Sequence, residues 1–80
     1  MITKDTRFLI IGLGLIGGSY AMGLKKNGYH VEAIEINQLS IDYALKNGII
    51  DKGSTFDLDM ISQADVIIVS LYPNMSVDWI

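Results

Sequence analysis

The sequence predicts an α/β fold with a parallel sheet of four strands in the spatial order 3-2-1-4 and helices on both faces. Short apolar runs alternate with helix-length segments from one end of the chain to the other. Two of the helical segments end at an Asn-Gly pair, and two begin after a residue that commonly caps helices. Strands that alternate with helices pair in parallel through right-handed crossovers, so this order predicts a doubly wound sheet.

The first strand and helix are predicted from apolar patterning. Residues 7–11 are almost continuously apolar, which is typical of a strand buried on both faces. A helix from about residue 15 to residue 26 follows, and an Asn-Gly pair ends it. Ile16, Tyr20 and Leu24 recur every four residues, so we expect these three side chains to form the buried face of the helix.

The rest of the chain repeats this alternation. Asparagine and aspartate accept backbone N–H groups at helix starts, and β-branched residues favour strands. The remaining predicted elements are, in order, a strand from His30 to about Glu35, a helix capped by Asn37 and ended by Gly48, a short strand or extended loop at 49–54, a short helix capped by Asp57, and a strand at 66–71 that ends before Pro73.

Composition restricts the classes of function. The chain has 80 residues, half of them hydrophobic, and is large enough for one small domain. A net charge of −3 argues against nucleic acid and anionic membrane as partners. The sequence contains no cysteine, and its start lacks the layout of a signal peptide. We therefore expect a cytoplasmic protein without disulfides or thiolate metal sites.

The glycine-rich segment between the first strand and the first helix is the strongest functional motif. Gly12, Gly14 and Gly17 follow the Gly-x-Gly-x-x-Gly pattern of a Rossmann-type dinucleotide-binding site. The first glycine allows a tight turn, the second lets a pyrophosphate approach the backbone, and the third lets the helix pack closely. Amides of the first helical turn, which includes Leu15 and Ile16, then face the phosphates.

An acidic residue stands where a dinucleotide site needs one. Glu35 follows Gly17 by eighteen residues, at the predicted end of the second strand. A carboxylate there accepts hydrogen bonds from the adenosine ribose hydroxyls and repels a 2′-phosphate. Ile36 and Asn37 follow, with no arginine to bind such a phosphate. We therefore predict NAD as cofactor rather than NADP, with Glu35, Ile36 and Asn37 beside the adenosine.

Other candidate residues carry less information. Ser70, Leu71 and Tyr72 lie at the carboxyl end of the last strand, where backbone can line a nicotinamide-ribose pocket, although an ordinary strand end is an equal alternative. His30 lies at the start of the second strand, at the edge remote from the glycine turn, so we interpret it as a surface residue. We identify no catalytic or metal-binding residue.

Four segments resemble the prephenate/arogenate dehydrogenase family of tyrosine biosynthesis. The first is Gly-Leu-Gly-Leu-Ile-Gly-Gly-Ser at 12–19, which is more particular than the general glycine pattern. Residues 33–37, 44–51 and 64–73 agree with the family in order and spacing. The chain departs from the family at Glu35, where aspartate is common, and at Tyr72, where a small aliphatic residue is usual.

This resemblance implies an enzyme that oxidises prephenate or arogenate with NAD and releases carbon dioxide, giving 4-hydroxyphenylpyruvate or tyrosine. The family's catalytic histidine, substrate-binding arginine and helical dimerisation domain have no counterpart in residues 1–80. We therefore expect an incomplete NAD-binding domain that is inactive alone. Because the last strand would form an apolar edge, we also expect self-association through residues 66–71 and a homo-oligomer.

Three alternatives remain open from the residues alone. The chain could come from another NAD(P)-dependent enzyme, such as a β-hydroxyacid dehydrogenase or a pyrroline-carboxylate reductase, which more often have methionine where Ile16 stands. It could be a non-catalytic nucleotide-sensing module, or a remnant with no present function. Sequence beyond Ile80 would separate these alternatives.

Overall fold

The computed structural model describes residues 2–70, and only the backbone of Leu15. Strands and helices alternate along this part of the chain. The elements are β1 Arg7–Ile11, α1 Leu15–Lys26, β2 His30–Ile34, α2 Gln38–Lys46, β3 Lys52–Ser54, α3 Leu58–Gln63 and β4 Val66–Val69. The predicted residues Leu71 and Tyr72 lie outside the described residues.

The sheet has the predicted parallel topology. Its strand order is β3-β2-β1-β4, and each neighbouring pair is parallel. In the central register, Ile10 of β1 lies opposite Ala33 of β2 and Ile68 of β4. The carboxyl ends of β1, β2 and β4 therefore meet at one edge of the sheet, which is where the glycine turn, Glu35 and Ser70 follow.

Apolar side chains pack on both faces of the sheet. One face is covered by α1 and α2, and the other by α3, so the predicted placement of helices on both faces is confirmed. The buried residues of the first cluster are Phe8, Ile10, Ala21, Val31, Ala33, Ala44 and Ile50. Those of the second cluster are Leu9, Ile34 and Met60. No helix within residues 2–70 is long and apolar enough to cross a membrane.

The prediction of which residues form the buried face of α1 is wrong. Ile16 and Tyr20 are 53% and 54% exposed, and Leu24 is partly buried. The side of the helix that meets the sheet instead carries Gly17 and Ala21, both buried. A helix that approaches a sheet through glycine and alanine can lie very close to it, but such small residues contribute little to an apolar pattern.

The predicted helix caps are confirmed. The Asn37 side chain accepts the Leu39 N–H at 3.0 Å at the start of α2. The Asp57 side chain accepts the N–H groups of Asp59 and Met60 at the start of α3. After α2, Gly48 has a φ of +69°, the left-handed conformation expected where a glycine ends a helix.

The strands differ from prediction in their ends, and β4 carries exposed apolar side chains. β2 ends at Ile34, one residue before Glu35, and β3 is confined to three residues. β4 lies at one edge of the described sheet, and its side chains Ile67 and Val69 are exposed. Self-association through this strand stays a prediction, since one chain alone is described.

A cluster of charged side chains, which the sequence analysis did not identify, lies at the amino ends of the strands. Arg7 Nη2 and His30 Nε2 both contact Glu32 Oε2, at 2.8 Å and 2.6 Å. Lys25 Nζ contacts Asp51 Oδ1 at 2.6 Å, which ties α1 to the loop before β3. His30 is partly buried at the start of β2, at the edge opposite the glycine turn, as predicted.

The two carboxylates of this cluster are stabilised in their charged form. Burial alone would raise the pKa of Glu32, but hydrogen bonds from Arg7 and His30 outweigh burial and lower it below 4.5. Burial opposes ionisation of Asp51 as well, and hydrogen bonds from Lys25 and the Val31 N–H lower its pKa below 3.8. The cluster therefore stabilises the fold only while both acids are ionised.

Candidate dinucleotide-binding site

The turn that leaves β1 is fixed to the end of β2 through its backbone. Gly12 has a φ of +97°, a conformation that residues with a Cβ rarely adopt. Its N–H donates to the Ile34 carbonyl oxygen at 2.9 Å. The next amide, that of Leu13, donates to Glu35 Oε1 at 2.7 Å. Two consecutive amides of the turn are thus bound by two consecutive residues of the neighbouring chain segment.

The first and third glycines of the motif touch each other. A Cβ placed on Gly17 would lie 2.0 Å from the carbonyl oxygen of Gly12 and 3.2 Å from Ser70 Oγ. Carbon and oxygen atoms cannot approach to 2.0 Å without a bond, so this position requires glycine. The third glycine therefore allows α1 to pack on the turn itself, and the contact also brings in Ser70, which follows β4.

The amino terminus of α1 is suited to bind an anion. Gly14 is its N-cap and provides no side-chain hydrogen bond, and the first turn contains no acidic residue. The first N–H groups of a helix have no partner within the helix, and the helix dipole adds partial positive charge there. Lys25 and Lys26 in the last turn suit the opposite end of the dipole. The predicted phosphate-binding residues Gly14, Leu15, Ile16 and Gly17 form this helix start, and their binding of a pyrophosphate stays a prediction.

Glu35 is buried at the edge of this site and makes more contacts than the sequence predicted. It is only 3% exposed. Its Oε1 accepts the Leu13 N–H, and its Oε2 accepts the Asn37 N–H at 2.9 Å. Its own N–H donates to the Ser54 carbonyl oxygen at 3.0 Å. A carboxylate has about four acceptor positions, so two remain for the ribose hydroxyls of a dinucleotide.

The remaining predicted site residues lie around the same edge. Ile36 is 86% exposed beside Glu35. Ser70 is partly buried, and its N–H donates to the Ile11 carbonyl oxygen at 2.8 Å. The structure therefore brings the glycine turn, Glu35, Asn37 and Ser70 together at the carboxyl edge of the sheet, while the predicted Leu71 and Tyr72 lie outside the described residues.

Sequence reasoning missed the part played by Leu13. This residue was only a variable position within the glycine motif, yet its amide joins the turn to Glu35. A backbone contact of this kind leaves no trace in residue type, so no sequence signal could have identified it. The acid eighteen residues beyond Gly17 was visible, but the pattern alone could not show that its carboxylate binds the protein's own amides.

The comparison with family models identifies the kind of domain. Residues 7–80 match the model described as the NAD binding domain of 6-phosphogluconate dehydrogenase. The matched region contains every element described above, from β1 to β4.

Comparison with individual proteins agrees with the predicted resemblance. The chain is 39% identical over 69 residues to prephenate dehydrogenase of Bacillus subtilis strain 168. That alignment covers 84% of this chain but 18% of the relative, so the chain spans less than a fifth of that protein's length.

Two solved structures share the fold. Prephenate dehydrogenase from A. aeolicus, solved in complex with hydroxyphenyl propionate and NAD⁺, matches with a TM-score of 0.75 and 30% identity over 96% of this chain and 28% of that one. Arogenate dehydrogenase from Synechocystis matches with a TM-score of 0.79 over 92% of this chain and 26% of that one. Its identity is 23%, so this second likeness concerns the fold.

The predicted resemblance to prephenate and arogenate dehydrogenases is therefore confirmed in sequence and in fold. A glycine turn packed against the start of a helix, at the carboxyl edge of a parallel 3-2-1-4 sheet, is also the arrangement of a Rossmann-type dinucleotide-binding fold. The chain belongs to the family of NAD-binding domains described for 6-phosphogluconate dehydrogenase.

Proposed function

We propose that this chain is the NAD-binding portion of a prephenate or arogenate dehydrogenase. The observation that carries the proposal is the contact of Gly17 with the Gly12 carbonyl, which places the uncapped start of α1 at the carboxyl edge of the sheet. The identity with the Bacillus subtilis prephenate dehydrogenase supports the choice of enzyme. Prephenate or arogenate would be the substrate of the parent enzyme.

Different residues of the site bind different parts of the cofactor. The backbone from Gly14 to Gly17 holds the pyrophosphate, and Glu35 accepts the adenosine ribose hydroxyls with Ile36 and Asn37 beside it. Ser70 lines the side nearer the nicotinamide, and the sequence predicts the same role for Leu71 and Tyr72, which lie outside the described residues. The nicotinamide ring, when bound, accepts the hydride that oxidation of the substrate releases. These residues bind and orient the cofactor, so we expect the 80-residue chain alone to form no NADH from prephenate.

We also propose a preference for NAD over NADP. The carboxylate of Glu35 is buried and would face a 2′-phosphate across the ribose, where two negative charges repel each other strongly. Ile36 and Asn37, the next residues, carry no positive charge to offset this.

A second candidate function is supported by the family description, which names a different dehydrogenase. In that case the chain would bind NAD in another NAD(P)-dependent dehydrogenase or reductase. The cofactor site would be the same, so the two candidates differ only in substrate. Assays of a longer protein that carries this segment, with prephenate, arogenate and 6-phosphogluconate, would separate them.

Titration calorimetry of the 80-residue chain tests the binding proposal. NADH, NADPH and ADP-ribose would each be titrated into a sample whose folding has been checked by circular dichroism. We expect NADH and ADP-ribose to bind and NADPH to bind much more weakly. Absence of NADH binding by a folded sample would contradict the proposal, and equal affinity for NADPH would contradict the specificity.

We further propose that the protein is cytoplasmic and that it self-associates through the exposed edge of β4. The exposed side chains of Ile67 and Val69 support this interface, because an apolar edge strand favours pairing with another chain. Sedimentation velocity across a range of concentrations would test it, and a monomer at the highest concentration would argue against it.

A further inference from the structure

We infer that Glu35 is a positioning residue for the glycine turn, in addition to the ribose-binding role proposed above. The inference rests on the proposed function only in its consequence for cofactor affinity. In the protein itself, the side chain joins the turn after β1 to the start of α2.

Both oxygens of the Glu35 carboxylate accept a hydrogen bond from a backbone N–H. Oε1 accepts the Leu13 N–H at 2.7 Å, and the N–H of the preceding residue, Gly12, donates to the Ile34 carbonyl oxygen. Oε2 accepts the Asn37 N–H at 2.9 Å, at the N-cap of α2. The Glu35 backbone is itself held by β3, through the Ser54 carbonyl. The carboxylate therefore continues the β1–β2 pairing beyond the last ladder residue and into the turn.

The two bonds require two acceptor oxygens at this distance from the backbone. Hydrogen bonds from N–H groups to a charged acceptor are stronger than those between neutral groups. Glutamine at this position offers one oxygen and one NH₂ group, so whichever way it is oriented, a donor faces either the Leu13 or the Asn37 amide. One of the two part-buried N–H groups then loses its acceptor, which costs stability.

The turn also sets the position of the phosphate-binding amides. Leu13 lies between Gly12, which contacts Gly17, and Gly14, which is the N-cap of α1. Release of the Leu13 amide frees the backbone at the point where it enters the helix. Loss of Glu35 is therefore expected to weaken binding of the pyrophosphate as well as binding of the ribose.

Amide hydrogen exchange measured by NMR tests the positioning role without a ligand. In Glu35→Gln, we expect the Leu13 or the Asn37 amide to exchange about ten- to a hundredfold faster than in the unmodified chain, since hydrogen bonds to charged groups contribute about 1.5–3 kcal/mol. The amide of Ile10, in the centre of β1, should keep its rate. Asp42→Asn removes the same charge from an exposed position on α2 and should change none of these rates.

Two results of the exchange experiment would overturn the inference. One is unchanged exchange at both Leu13 and Asn37 in Glu35→Gln. The other is an equal acceleration at Ile10, which would show that the substitution destabilises the whole fold rather than the turn.

A ligand experiment separates positioning from ribose recognition. ADP and 2′,3′-dideoxy-ADP, which lacks both ribose hydroxyls, would be titrated into the unmodified chain and into Glu35→Gln. A positioning role predicts that the dideoxy ligand also loses affinity, whereas ribose recognition alone predicts a loss confined to ADP. If the unmodified chain binds neither ligand, the proposed function fails, and the exchange rates still decide the positioning role.

Discussion

The contact between the first and third glycines makes Gly17→Ala the most informative substitution in this chain. The added methyl carbon would lie 2.0 Å from the Gly12 carbonyl oxygen and 3.1 Å from its carbonyl carbon. Both are backbone atoms in a turn that is bonded to β2, so no side-chain rotation relieves the clash. Either α1 moves away from the turn, or the turn leaves its place beside Ile34.

Two opposing contributions determine how much Gly17→Ala changes the free energy of unfolding. Overpacking of a close-packed site costs about 1–3 kcal/mol and occasionally more, and a backbone obstacle places this case near 3 kcal/mol. Alanine has the higher helix propensity, so replacing glycine by alanine in a helix stabilises the helix by about 1 kcal/mol. The net loss is about 2 kcal/mol, which for a domain of this size lowers Tm by about 8–16 °C.

Gly23→Ala is the matched control, since it makes the same chemical change in the same helix. A Cβ on Gly23 has no neighbour within 4 Å, so only the propensity gain applies. Thermal unfolding followed by circular dichroism should show Gly23→Ala about 4–8 °C more stable than the unmodified chain. Gly17→Ala should be less stable and should lose NADH binding. If both variants gain stability equally, the proposed packing of α1 on the turn is wrong.

Three further predictions concern stability. The folded-state pKa values of Glu32 and Asp51 lie below the ordinary values of 4.5 and 3.8, so their contribution to stability is complete above about pH 5 and is lost as the pH falls below those ordinary values and through the lower folded-state ones. Tm measured from pH 7 to pH 3 should fall less steeply in Glu32→Gln, and a parallel fall would contradict this. Gly48→Ala should lower the free energy of unfolding, measured with denaturant, by about 1–2 kcal/mol. The φ of Gly48 is +69°, which disfavours a Cβ even though no other atom would lie within 4 Å of it. No loss of stability would mean that the loop relaxes. Asp57→Ala should cost about 1 kcal/mol by removing the cap of α3, whereas the exposed Asp59→Ala should cost less.

The order of elements could be predicted because its signals are local. Capping residues such as Asn37 and Asp57 mark helix starts by their own chemistry, and Gly48 marks an end. Alternation of these elements then fixes a parallel sheet with few choices of topology. The glycine motif and an acid eighteen residues beyond it similarly located the site, because the spacing reflects one turn, one helix and one strand.

What could not be predicted depends on distances between segments. The buried face of α1 consists of Gly17 and Ala21, and small residues become informative only when the sheet beneath them is known. The contacts of Glu32 with Arg7 and His30 depend on the register, which places Arg7 opposite His30. The contacts of Glu35 are to backbone amides, which every residue type possesses.

Helix α1 is held at both of its ends, and this bears on how a ligand associates with it. At the amino end it rests on Gly12 through Gly17, and at the carboxyl end Lys4 Nζ donates to the Asn27 carbonyl at 2.5 Å while Lys25 pairs with Asp51. These contacts oppose tilting of the helix. For the proposed dinucleotide we therefore expect amides that are already oriented, a small loss of conformational entropy on binding, and association in one kinetic step.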